Sequence, residues 1–123
     1  MQDLVRQTLR MRPDRLVIGE VRGPEVIDLL TAFNTGHEGG CGTVHANSST
    51  AVVPRLEALA VLGGLPRESL HRLVAPAIDA LVHIERDAAG RRFVSTVATL
   101  EERSGRLAVL PVATVDTSGP GRR

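Results

Sequence analysis

The chain has 123 residues, 14 acidic and 15 basic side chains, and a net charge of +1; every basic side chain is an arginine. Without lysine it can supply no P-loop lysine to nucleotide phosphates and no Schiff-base or general-base lysine. Near-neutral charge and two lone aromatics, Phe33 and Phe93, argue against a nucleic acid or an anionic membrane as partner.

The length suits a single domain with one core. The one cysteine, Cys41, allows no internal disulfide and fits a reducing compartment. There is no apolar run of membrane-spanning length and no signal-peptide pattern, so the expected address is cytoplasmic. Arginine-favouring codon usage accounts for the missing lysine, and the chemical exclusion holds regardless.

In chain order, residues 3–12 place Leu4, Val5, Thr8 and Leu9 on one helical face, which Pro13 should end. Leu16-Val17-Ile18 is a short apolar run of the kind that forms a strand buried on both faces. Gly23-Pro24-Glu25 opens a helix whose apolar face is Val26, Leu29, Leu30 and Phe33, with Gly36 as its C-terminal cap. A glycine-rich loop follows, and Thr43-Val44-His45 reads as a second strand. Strand, helix, strand over residues 15–46 is a parallel βαβ unit.

Residues 50–62 carry Leu56, Leu59, Ala60 and Leu62, a helix ending at Gly63-Gly64; Pro54 argues that its regular part starts late. Another helix starts at Pro66, with Leu70, Leu73, Val74, Ala77 and Leu81 on one face and Pro76 placed to kink or shorten it. Residues 81–86, 92–100 and 107–115 are β-branched runs separated by turn residues and read as antiparallel hairpins. The tail 117–123 reads as disordered. The fold class is therefore α/β, a parallel βαβ unit followed by helices and antiparallel hairpins.

The chemistry concentrates in residues 10–48. Glu20 follows the first strand and His45 ends the second, and parallel neighbours put both ends on one rim, where ligands bind. Arg22 joins them. A carboxylate, a guanidinium and an imidazole facing one cleft suit phosphoryl transfer, which needs a group for the attacking water and cations for developing charge. Competing readings are a solvated turn glutamate and a surface arginine. His37, Cys41 and His45, four apart, hint at zinc, but glycines interrupt any helix that would align them and a fourth ligand is unclear. Cys41 reads as a small filler, and His71 and His83 as structural or surface residues.

The segment Leu9-Arg10-Met11-Arg12-Pro13-Asp14-Arg15-Leu16-Val17-Ile18-Gly19-Glu20-Val21-Arg22-Gly23-Pro24-Glu25 resembles the Walker B segment of the type II/IV secretion-system ATPases. Thr35-Gly36-His37-Glu38-Gly39-Gly40-Cys41-Gly42-Thr43-Val44-His45-Ala46-Asn47-Ser48 resembles their histidine box. The step from His37 to His45 and the ending His-Ala-Asn-Ser are most similar to the tight-adherence (Flp pilus assembly) branch, as are Arg55-Leu56-Glu57 and Ala77-Ile78-Asp79. The similarity covers residues 2–115.

The resemblance implies the C-terminal part of a RecA-like P-loop NTPase core over residues 1–116, in a hexameric ring. Such a motor hydrolyses ATP with Mg²⁺ to drive pilus assembly or secretion, at the cytoplasmic face of the inner membrane and with its membrane components. Glu20 would be the Walker B carboxylate, polarising water and supporting Mg²⁺ through water, and His45 would contact the γ-phosphate. Arg22 would couple the site to its surroundings. His37, Thr43, Gly19 and Asn47 would shape the nucleotide site, and Arg10 and Arg12 would serve subunit contacts.

Relatives carry a Walker A loop, an acidic box and an N-terminal domain before this segment. Met1 thus reads as a truncated, split or mis-annotated start, and the chain alone is expected to lack ATPase activity. A core without its first strands exposes a sheet edge and an apolar face, which favours aggregation or complementation by another chain. The alternative is a non-catalytic interaction module or degenerate remnant that docks on full-length motor subunits.

Overall fold

The structure, a computed structural model, describes residue 6, residues 17–36 and residues 39–115. Of the helix over 3–12 only Arg6 is described, in a helical conformation; Arg10, Arg12, His37 and the 117–123 tail lie outside the described residues.

Strand β1 is Val17–Ile18 and β2 is Cys41–Gly42, paired in parallel with Val17 opposite Cys41 and Ile18 opposite Gly42. The second strand is thus centred earlier than Thr43-Val44-His45. Its partner continues past it all the same, because the Val21 N–H donates to the Thr43 carbonyl at 2.7 Å. The crossover between them is helix α1, Glu25–Asn34, whose apolar side buries Val26, Leu29, Leu30 and Phe33. Pro24 stands at its N-cap, and Gly36, at φ 111°, takes the left-handed turn beyond its end.

Helix α2 runs Val52–Leu62. It does not start late: Pro54 lies in its first turn, where the missing N–H has no intrahelical acceptor to lose. Its end is a Schellman motif. Gly64 sits at φ 79°, the Leu65 N–H reaches the Ala60 carbonyl at 3.1 Å and the Gly64 N–H reaches Val61 at 3.0 Å. Gly63 is there for space, since a Cβ on it would lie 2.6 Å from Ile27 Cδ1 and 3.1 Å from Pro24 Cβ.

Helix α3 is Arg67–Ala77, with Pro66 at its N-cap and Pro76 inside its last turn. Proline supplies no N–H there, and the chain extends at Ile78. The helical face therefore ends at Ala77, and Leu81 belongs to the next strand. Leu70 and Val74 are fully buried and join α1 and α2 in one core. Burying each such aliphatic side chain stabilises the fold by about 1.5–3 kcal/mol.

Strands β3 (Leu81–Arg86), β4 (Arg92–Arg103) and β5 (Arg106–Thr114) form an antiparallel sheet in the order β3-β4-β5. Asp87 builds the first turn by accepting the N–H groups of Ala89 and Arg91, both at 2.9 Å. Ser104 and Gly105 make the second, at φ 52° and 79°, the positive values that two-residue hairpin loops of the I′ kind require. Ala98 and Leu100 of β4, with Leu107 and Val109 of β5, turn toward the helices. Val82, Ile84 and Val94 of this sheet are exposed.

Candidate functional site

Parallel pairing brings the ends of β1 and β2 to one rim, and the loops beyond them carry Glu20 and His45. Their side chains meet, with His45 Nε2 2.8 Å from Glu20 Oε1. The other carboxylate oxygen, Oε2, pairs with Arg22 Nη2. Glu20 is sheltered at 23% side-chain exposure, while Arg22 and His45 stand at 78% and 79%. The carboxylate is thus cradled by two donors that a ligand can reach from solvent. The Arg22 guanidinium bonded to it holds the Glu20 carboxyl below the usual carboxylate range; His45 and Arg55 push the same way, and partial burial opposes them. Glu20 in turn raises the Arg22 pKa.

The loop that presents Arg22 is held from below by Glu25. Its Oε1 accepts the backbone N–H of Arg22 at 3.0 Å and of Gly23 at 3.2 Å, and the residue is only 3% exposed. Gly23 leaves room for it, because a Cβ there would come within 2.9 Å of Glu25 Oε2. Glu25 was legible only as a helix-opening residue. Its position just past Gly23-Pro24 was the available signal, since a carboxylate in a first turn can satisfy the free N–H groups beside it.

Of the other sequence candidates, Gly19, Thr43 and Asn47 lie exposed around the rim, Thr43 tied to Val21 through its carbonyl. Cys41 is exposed and fills no core space, contrary to its reading as a small filler. Among the described residues no group of three histidines, cysteines or carboxylates is gathered for a metal. Arg55, which had no role assigned, sits in the first turn of α2, and its charge acts on Glu20. His71 is structural and buried. Its Nδ1 accepts the Leu107 N–H at 3.2 Å, which leaves Nε2 to donate to Glu57 Oε1 at 3.1 Å, and so joins α2, α3 and β5.

Residues 1–117 match the profile of a family described as Type II/IV secretion system protein. A putative conjugal transfer protein of Mycobacterium tuberculosis is 56% identical over 112 residues, 91% of this chain and 32% of that protein. The probable conjugal transfer protein TrbB of Sinorhizobium fredii is 39% identical over 106 residues, 86% of this chain and 32% of that protein. Among solved structures, the VirB11 ATPase from the Brucella suis type IV secretion system, in complex with sulphate, superposes with a TM-score of 0.70. It is 30% identical over 78% of this chain and 30% of that one. The chain spans about a third of the length of the curated relatives it matches.

Proposed function

This chain belongs to the type II/IV secretion system protein family, and from that premise we propose that its strand-end cluster is one wall of a nucleotide site. The motor it serves would hydrolyse ATP to power pilus assembly or type II/IV secretion. The supporting observation is Glu20, held between Arg22 and His45 at the common rim of two parallel strands. That is where α/β sheets take ligands.

A carboxylate whose pKa is lowered is a weak base. Glu20 therefore fits the orienting of an attacking water better than its outright deprotonation. Arg22 and His45 are the groups to meet developing phosphate charge. Both engage Glu20 in the structure, so nucleotide phosphates would compete with it for them. One carboxylate at the rim suits Mg²⁺, which is commonly held by one or two carboxylates together with substrate phosphates and water. Glu20 would hold it through water. His37, Thr43, Gly19 and Asn47 shape the site in this reading, and Arg10 and Arg12 serve contacts between subunits of a hexamer. The branch is tight adherence, the location the cytoplasmic face of the inner membrane, and residues 1–116 are the motor segment.

Because the chain has no lysine for the phosphates, it gives negligible turnover alone. The test compares phosphate release by the purified chain with that of a chimera in which this chain replaces the matched third of the M. tuberculosis protein. The chain alone is silent, the chimera hydrolyses ATP, and Glu20→Gln slows the chimera about 10²-fold or more. Turnover by the chain alone that Glu20→Gln abolishes would overturn its inactivity. A chimera indifferent to Glu20→Gln would overturn the site.

A further inference from the structure

The hairpin sheet carries a self-complementary face. In its ladder Val82 stands opposite Val97, Ile84 opposite Val94 and Arg86 opposite Arg92. Side chains alternate along a strand, so residues 82, 84 and 86 share one face and their partners join them there. Val94 and Val97 share it although three apart, because the register shifts at Ser95, the extra residue of a bulge. Further along β4, Thr99 and Glu101 continue this face, while Ala98 and Leu100 alternate with them and are buried. The centre is apolar: Val82, Ile84 and Val94 are 53%, 57% and 46% exposed, and Val97 is half-buried. At one end stand Arg86 and Arg92, like charges directly opposite each other. Among the described residues no carboxylate pairs with either. Toward the other end stands Glu101, 53% exposed and 3.3 Å from Arg103, with room for a second cation.

We infer that this face packs on the same face of a second copy of the chain, β4 running antiparallel to β4 across a two-fold axis at Val97. Arg92 and Glu101 each stand four ladder steps from Val97, in opposite directions. The two-fold therefore sets Arg92 of each copy over Glu101 of the other, with Arg86 beside it, as an isologous contact requires. Arg103, two residues past Glu101, falls over the second copy's 87–91 turn, which carries Asp87. The apolar centres cover each other at the roughly 10 Å separation of packed sheets. A second copy is favoured over any other partner because both halves of the charge match lie on this one face. Three strands about 4.8 Å apart, over about eight residues of about 3.4 Å, span roughly 400 Å². A standard interface buries roughly 800 Å² per partner, so the dimer is a reversible one. The inference does not depend on the nucleotide reading.

The test is sedimentation equilibrium of the purified chain over a concentration series, where a monomer–dimer equilibrium is expected. Arg92→Glu and Glu101→Arg each set like charges together across the two-fold, and each weakens the dimer about tenfold or more. Carried in the same chain they exchange the two ends, and most of the loss is restored. Ile84→Asp puts a carboxylate in the apolar centre and weakens the dimer about tenfold or more. Leu62→Asp, at the exposed end of α2, leaves it intact. A chain that stays monomeric up to about 1 mM overturns the inference. So does association into more than two copies, because a head-to-tail ring joins two different faces. A dimer indifferent to Arg92→Glu, or a same-chain exchange that restores nothing, overturns it equally. Circular dichroism checks that each variant folds, and should Ile84→Asp fail to do so, the charge exchange decides.

Discussion

Glu20 and His45 stand on the loops after two neighbouring parallel strands, and the imidazole Nε2 meets the carboxylate at 2.8 Å. With Arg22 on the other oxygen, the carboxylate is bound on both sides by groups that face solvent. The cluster is thus held together by its own charges and hydrogen bonds.

The Glu20 titration reports this pairing. The folded carboxyl has a lowered pKa, so the stabilisation it contributes is complete above the unfolded pKa and is lost as pH falls through the folded one. Arg22→Ala removes the main cause. Carboxyl NMR should then show the Glu20 midpoint moving up toward the ordinary glutamate value, and the acid side of the stability profile should lose its Glu20 component. An unmoved midpoint would show that Arg22 does not hold the carboxylate in solution.

Glu25 acts on the same cluster from beneath. Glu25→Ala leaves the Arg22 and Gly23 N–H groups without their acceptor. A buried unsatisfied donor costs about 1–3 kcal/mol. The melting temperature should fall, and the Arg22→Ala effect on Glu20 should shrink in this background because the loop no longer holds the guanidinium in place. Unchanged stability would mean that water satisfies both donors.

His71 joins two helices to the hairpin sheet. His71→Ala strands the Leu107 N–H and removes one of the two partners of Glu57, leaving Arg67 at 3.5 Å from its other oxygen. The expected loss is about 1–3 kcal/mol for the orphaned donor, with further loss from the cavity left behind. Denaturant melts of His71→Ala, Glu57→Ala and the double variant should show strong non-additivity, since the two side chains share one bond. Additive losses would mean that the pair is not coupled.

Gly63 marks where α2 crosses the start of α1. Gly63→Ala should destabilise by about 1–3 kcal/mol through overpacking against Ile27 and Pro24. Ile27→Val removes the Cδ1 atom in the way, so the double variant should recover part of that loss in a thermal melt. No recovery would place the strain at Pro24 instead.

Much of the fold was legible locally. The Val26, Leu29, Leu30 and Phe33 stripe became the buried face of α1, and Ser104-Gly105 became a tight hairpin loop, because both depend on spacing and backbone preference along a few residues. Where reading failed, a longer-range term decided. Pro76 does shorten α3 as its position implied, while the apolar stripe read on to Leu81 stops at Ala77, because side-chain period alone does not register the N–H that a proline lacks. Cys41 was misjudged because burial is set by which elements pack over β2, and it stands exposed at the side of a cavity.

By itself, then, the sequence determined the element types, the rim that carries Glu20 and His45, and the absence of any lysine to face them, since these follow from periodicity, strand direction and composition. Tertiary structure alone decided two things: that His45 reaches an oxygen of Glu20, and that the buried His71 ties α2 and α3 to β5. Each of these needs atoms distant in sequence to meet within a few ångströms, and no local pattern encodes such a meeting.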